Sequence, residues 1–128
     1  YEVCYEATHH GPYLKKPCFF IEVGSTEKEW RDEKACNAIA EVILQIEEKQ
    51  REVAIGIGGG HYAPRFTDMA LERNMAFGHI AAKYAVPYLN EEMLRKMIEA
   101  TPGCKKAYFH GEYGGIEEML KKLGVSTA

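Results

Sequence analysis

The residues best suited to chemistry stand in one run, Gly56–Ile57–Gly58–Gly59–Gly60–His61–Tyr62–Ala63–Pro64–Arg65. Residues 53–57 have the apolar composition of a buried strand, and they open into three successive glycines. Glycine admits backbone conformations closed to other residues and lets another molecule approach the main chain. Three in a row weaken any regular element, so packing alone explains them poorly. The run then hands over His61, and histidine is the side chain whose ordinary pKa, ~6.5, best suits proton transfer near neutrality. Tyr62 offers a flat face on which a base can stack. Arg65 follows Pro64 at a helix start, where backbone N–H groups and a guanidinium together favour an anion such as phosphate.

Two further segments present histidine at an expected strand end: Thr8–His9–His10–Gly11–Pro12 and His110–Gly111–Glu112. Ligands of open α/β sheets bind beyond the carboxyl ends of strands. If each segment ends a strand of one sheet, His9, His10, His61 and His110 gather at one edge with Glu112 beside them. Adjacent His9 and His10 point apart in an extended chain and are poor chelators together; a metal, with no ligand set fixed by the sequence, would take one of them with His61, His110 or a glutamate. His79 and Lys83 share a face at the strand period of two. A lysine in an apolar run is costly to bury alone, and Glu22, inside Phe19–Phe20–Ile21–Glu22–Val23, is its natural partner.

The elements that must position these groups follow from patterning. Residues 1–6 and 19–23 read as strands. Thr26 with Glu29 makes a capping box for a long helix whose buried face is Ala35, Ile39, Val42, Ile43 and Ile46. A short helix is expected after Pro64, a strand over 76–84, and a helix capped by Asn90 that turns Met93, Leu94, Met97 and Ile98 inward. A strand over 106–110 and a last helix over 116–123, stopped by Gly124, complete the order. Strands alternating with helices predict a single α/β domain, with a mixed or mostly parallel layered sheet flanked by helices.

Composition narrows the class. The 128 residues are 46% hydrophobic and 27% charged, with a net charge of −3. That balance suits one globular domain and gives no general affinity for nucleic acid. DNA is not an expected partner, and a tRNA contact needs a local patch from Lys15, Lys16, Arg51, Arg73, Lys105 or Lys106. No run reaches the ~18 apolar residues of a membrane span. The spacing of Cys4, Cys18, Cys36 and Cys104 suits free thiols in a reducing cytoplasm and lacks the close pairs of a cysteine zinc site. Opening on Tyr1, the chain reads as a portion of a longer protein. The glycine run lacks the third glycine of a dinucleotide fingerprint, and no P-loop, H-E-x-x-H or G-x-S-x-G string occurs.

Taken together, Thr8–His9–His10–Gly11–Pro12, Phe20–Ile21–Glu22–Val23–Gly24–Ser25–Thr26–Glu27 with Trp30, Gly56 through Phe66, and Phe77–Gly78–His79–Ile80 with Lys83–Tyr84–Ala85 resemble the archaeal and plant type of D-aminoacyl-tRNA deacylase. The resemblance runs from about Glu6 to Ile116 and is to the C-terminal portion of that family. It implies a phosphorylase/hydrolase-like fold and hydrolysis of the ester of D-aminoacyl-tRNA to a D-amino acid and free tRNA. It also links zinc to the family, with no ligand set assigned. The expected catalytic residues are His10, His61, His79, Lys83 and Glu22. The expected substrate contacts are His9, Gly58, Gly59, Gly60, Tyr62, Arg65, His110 and Glu112. The alternatives are a metal-dependent hydrolase or nucleoside-handling enzyme of the same fold class, and a non-catalytic tRNA-binding module.

Overall fold

In the computed structural model, which describes residues 1–24 and 26–128, contacts divide the chain into a unit of Lys16–Gln50 and a larger one of Tyr1–Lys15 with Arg51–Ala128. Ser25 lies outside the described residues.

In the smaller unit the Thr26–Glu29 capping box forms as expected, but it opens only a single turn, α1 (Glu27–Trp30). Asp32 then caps a new start, accepting from Lys34 N (2.9 Å) and Ala35 N (3.3 Å), and α2 runs over Glu33–Leu44. The expected long helix is therefore two, because an aspartate at that position satisfies helix-start donors better than it continues a helix. Residues 19–23 form no strand. The expected apolar face of α2 is not buried: Ala35 and Ile39 are half-covered, while Val42, Ile43 and Ile46 are 53%, 50% and 53% exposed. Apolar spacing predicts a face, and a second layer is needed to bury it. Among the described residues this unit has only α1 to offer.

The larger unit is organised around β1 (Glu52–Gly58), buried on both faces from Ala54 onward. It is followed by α3 (Pro64–Arg73), β2 (Met75–Ala81), a single 3-10 turn at Val86–Tyr88, α4 (Glu91–Glu99), β3 (Lys106–His110), α5 (Gly114–Lys122) and β4 (Ser126–Thr127). The four strands are all parallel in the order β2–β1–β3–β4. Alternation sorts the core into two layers. Ala54 joins Phe66, Met69 and Ala70 of α3, with Phe77, Ile80 and Tyr108. Ile55 and Ile57 join Ala107 and Phe109 against Leu94 and Met97 of α4 and Ile116 and Leu120 of α5. Gly56 is where α3 comes closest, since a Cβ there would lie 2.9 Å from the Phe66 ring. The chain leaves β1 toward β2 and later returns to β3 on its other side, so the carboxyl end of β1 is a topological switch point.

Several expectations change in detail. Residues 1–6 form no strand, and β2 stops at Ala81, leaving Lys83 exposed in a turn. The strand-period argument that put His79 and Lys83 on one face therefore fails. The β1–β2 register also slips by one between Ala54 and Ile55, where Gly78 is looped out just before His79. Asn90 caps α4 by accepting from Met93 N (2.9 Å), and Leu94 and Met97 are buried, but Met93 is 44% exposed. No helix among the described residues is long and apolar enough to cross a membrane.

At the amino end of the sheet, the Glu52 carboxylate accepts from Tyr108 Oη (3.1 Å) and Lys106 Nζ (3.2 Å). These bonds, the Lys106 bond foremost, hold the Glu52 carboxyl below its ordinary range. A depressed carboxyl contributes stability above its unfolded pKa and loses it as pH falls through the folded one. Glu52→Gln should therefore be less stable than wild type at neutral pH, with the gap closing below about pH 4 in chemical denaturation. Phe66→Ala should cost about 3–5 kcal/mol in the same measurement, and Gly56→Ala about 1–3 through overpacking.

Candidate active site at the carboxyl edge

Beyond β1 the main chain makes its sharpest departure. Gly58 and Gly59 take φ of +93° and +78°, the left-handed region that favours glycine. A Cβ on Gly58 would strike the His110 carbonyl and the Tyr113 ring, and one on Gly59 would lie 2.8 Å from His110 Nδ1. The loop is thus a main-chain floor with His110 laid against it. Gly60 is exposed. Lys83 N donates to Gly59 O (2.9 Å), which ties the turn after β2 to this floor. At Ala63 (φ 36°), a buried non-glycine residue occupies the left-handed region to start α3. Such strain, about 1–3 kcal/mol, collects at functional sites.

The amino-terminal segment is strapped across this edge. Tyr5 N donates to Thr67 Oγ1 (2.9 Å), Ala7 N to His61 O (2.7 Å) and Thr8 N to Ile80 O (2.8 Å), while Ile80 N donates to Thr8 Oγ1 (3.1 Å). The strap carries Glu6, His9 and His10 to His61. Glu6 Oε2 lies 3.6 Å from His61 Nε2 and 3.7 Å from His9 Nε2. The His9 ring centroid is 4.0 Å from that of His10 and 4.5 Å from that of His61. The expected divergence of His9 and His10 does not occur, because the segment is not an extended strand here. Glu6, His9 and His10 each bring one donor atom within 4.8 Å of the others. Two imidazoles and a carboxylate suit zinc, so the residues present fit the metal that the sequence resemblance implies.

On the other side of the glycine floor, Arg65, Phe109, Gly111, Glu112, Glu117, Thr127 and Ala128 line a shallow recess. Arg65 and Glu112 thus share a wall, and Tyr62, 55% exposed, meets the His61 ring edge-on at 5.0 Å. His79 stands apart, half-buried within β2, with Nδ1 2.5 Å from Gly78 O. Glu22 is exposed in the Lys16–Gln50 unit, outside any strand, so the buried setting that made it a partner for a lysine does not exist. Sequence reasoning missed Glu6 and Glu117; the three-residue spacing of Glu6 and His9 was the available signal for the first. Burial pushes the Cys4 and Cys104 thiols up, which suits neither for nucleophilic attack.

The contact at Gly59 yields a direct test. Gly59→Ala should displace the His110 ring, moving its imidazole NMR resonances, and lower thermal stability; unchanged His110 resonances would contradict the packing described.

A model of the family described as D-aminoacyl-tRNA deacylase matches residues 1–127. Proteins named D-aminoacyl-tRNA deacylase are similar to the chain: one from Thermococcus kodakarensis is 54% identical over 129 residues, and one from Pyrococcus furiosus 46% over 126. Each alignment covers 94% of this chain and 47% of the relative, so the chain spans about half the length of the curated relatives it matches. The crystal structure of a conserved protein of unknown function, AF0625, superposes with a TM-score of 0.87 at 34% identity, over 97% of this chain and 47% of that one. The family model and the named relatives therefore lead to one family, and the chain belongs to the D-aminoacyl-tRNA deacylases.

Proposed function

We propose that the chain forms an ester-hydrolysing pocket that releases a D-amino acid from D-aminoacyl-tRNA, as the C-terminal portion of a longer cytoplasmic enzyme. The observation that carries this reading is the gathering of Glu6, His9, His10 and His61 beside a glycine floor at the switch point of the sheet. In the reaction a water attacks the carbonyl carbon of the ester linking the amino acid to the terminal ribose. His61 accepts the water's proton, with the Glu6 carboxylate 3.6 Å from its Nε2. The glycine-loop N–H groups face the developing oxyanion. The ester C–O bond then breaks, and the ribose oxygen takes back the proton as free tRNA leaves.

Arg65 and the start of α3 hold a phosphate near the terminal adenosine, while Tyr62 stacks on its base. Zinc, when bound, supplies Lewis acidity toward a carbonyl oxygen. Glu6, His9 and His10 are the groups that would hold it. A floor of main chain lets backbone groups contact the substituents of Cα, and handedness is read there by shape. Lys83 and His110 border this arrangement, and Lys83 supplies its backbone to the floor, whereas His79 stands apart in β2.

His61→Ala, with the fold verified by circular dichroism, should lower deacylation of D-aminoacyl-tRNA about 100-fold or more. Near-normal turnover would eliminate His61 as the base. Arg65→Ala should raise KM more than it lowers kcat, because its contact is with a part of the substrate that does not react. Salt-sensitive tRNA binding without release of D-amino acid would favour a binding module instead.

A further inference from the structure

The glycine floor has a side chain lying on it besides His110. Tyr113 stands three residues beyond the end of β3. Its carbonyl accepts from Ile116 N (2.9 Å) and Glu117 N (3.0 Å) to start α5, which fixes its backbone. The ring folds back over the strand ends. A Cβ on Gly58 would lie 2.6 Å from Tyr113 Cε2 and 2.9 Å from its Oη, and one on Gly111 would lie 3.1 Å from each. The hydroxyl end of the ring therefore rests against two glycines, in space that side chains there would fill. The Phe109 ring supports it, with centroids 6.3 Å apart. Tyr113 is half-buried, and among the described residues nothing hydrogen-bonds its hydroxyl.

That position coincides with the crevice of the fold. β1 passes to β2 through α3 on one face of the sheet, and β3 passes to β4 through α5 on the other. The two connections part between β1 and β3, which pair as Gly58 with His110 at their ends. Open α/β sheets bind ligands in such a gap. Gly58 and Gly111 follow the two strands into it, and Oη is the Tyr113 atom held against both. Packing needs only the ring; the hydroxyl is what a phenylalanine would lack, and a phenol O–H donates as well as accepts.

We infer that Tyr113 is a further catalytic residue, its hydroxyl donating a hydrogen bond to the ester carbonyl oxygen as that oxygen gains charge beside the glycine-loop N–H groups. The ring is already held by Phe109 and the two glycines, so little rearrangement accompanies the charge. Tyr113 keeps its proton throughout; the proton that moves is the water's, by way of His61 to the ribose oxygen. This assignment rests on the hydrolytic reading of the same edge and adds a side-chain donor to it.

The test compares wild type with Tyr113→Phe, which keeps the ring and its contacts and removes the hydroxyl. The kcat for D-aminoacyl-tRNA should fall about 100-fold, with KM and the thermal midpoint close to wild type. Tyr88→Phe, at a tyrosine 80% exposed, is the control and should keep full turnover. Calorimetry with two analogues of adenosine carrying a D-alanyl ester gives a readout free of turnover. One has an amide in place of the ester, and the other a tetrahedral, anionic phosphonate in place of the carbonyl. Tyr113→Phe should bind the amide as wild type does and the phosphonate about tenfold or more weakly. Unchanged kcat, equal effects on both analogues, or a fall in activity matched by a fall in thermal midpoint would reduce Tyr113 to a packing residue. A wild type that neither turns over substrate nor binds either analogue would overturn the hydrolytic reading itself, and the role of Tyr113 with it.

Discussion

Two backbone hydrogen bonds decide what the carboxyl edge of this sheet can do: Ala7 N–H to the His61 carbonyl and Thr8 N–H to the Ile80 carbonyl. They join an irregular amino-terminal segment to the ends of β1 and β2. Without them Glu6, His9 and His10 are side chains of an unanchored segment, and ordering such a segment costs about 1–2 kcal/mol per residue. With them, a carboxylate and three imidazoles share a space a few ångströms across. Net stabilisation of about 0.5–1.5 kcal/mol per bond is small. The strap persists through several anchors, from the Thr67 hydroxyl to the buried Ala7 methyl.

The sheet supplies the other half of the geometry. Because β1 is central and parallel, both of its faces must be covered, and Ala54 and Gly56 leave room for α3 to lie close through Phe66. That proximity delivers the start of α3, and Arg65 with it, to the glycine floor. The positive φ values of Gly58 and Gly59 turn the chain across the top of the sheet instead of onward. His61 and His110 consequently end adjacent strands, paired as Gly58 with His110, without any closeness in sequence.

What could be read in advance divides along the range of the interactions. The β3 strand, the Asn90 cap and the helix after Pro64 are written in neighbouring residues, and the structure has them. Alternating elements predict a mixed or mostly parallel sheet, and the structure has all four strands parallel. The strap was not legible as a strap: Thr8 meets Ile80 at a separation of 72 residues, through a hydroxyl and not through a ladder that patterning could reveal. Its apolar and aromatic residues therefore mimic a strand. Asp32 breaks the predicted long helix because a cap and a polar face residue look alike in sequence. The looped-out Gly78 shifts register in a way that residue type alone does not announce.

The contact at Ile80 has another consequence. β2 is an outer strand of the sheet, and the N–H and carbonyl of Ile80 point away from β1. Thr8 occupies both, the hydroxyl taking the donor and the amide taking the acceptor. An open edge with such groups unpaired is a template for recruiting a foreign strand, the first step toward sheet-mediated aggregation. Here the position is filled by the segment that bears the histidines, so a chain that pairs at Ile80 must displace Thr8. One threonine thus both places the histidines and covers this point of the sheet edge.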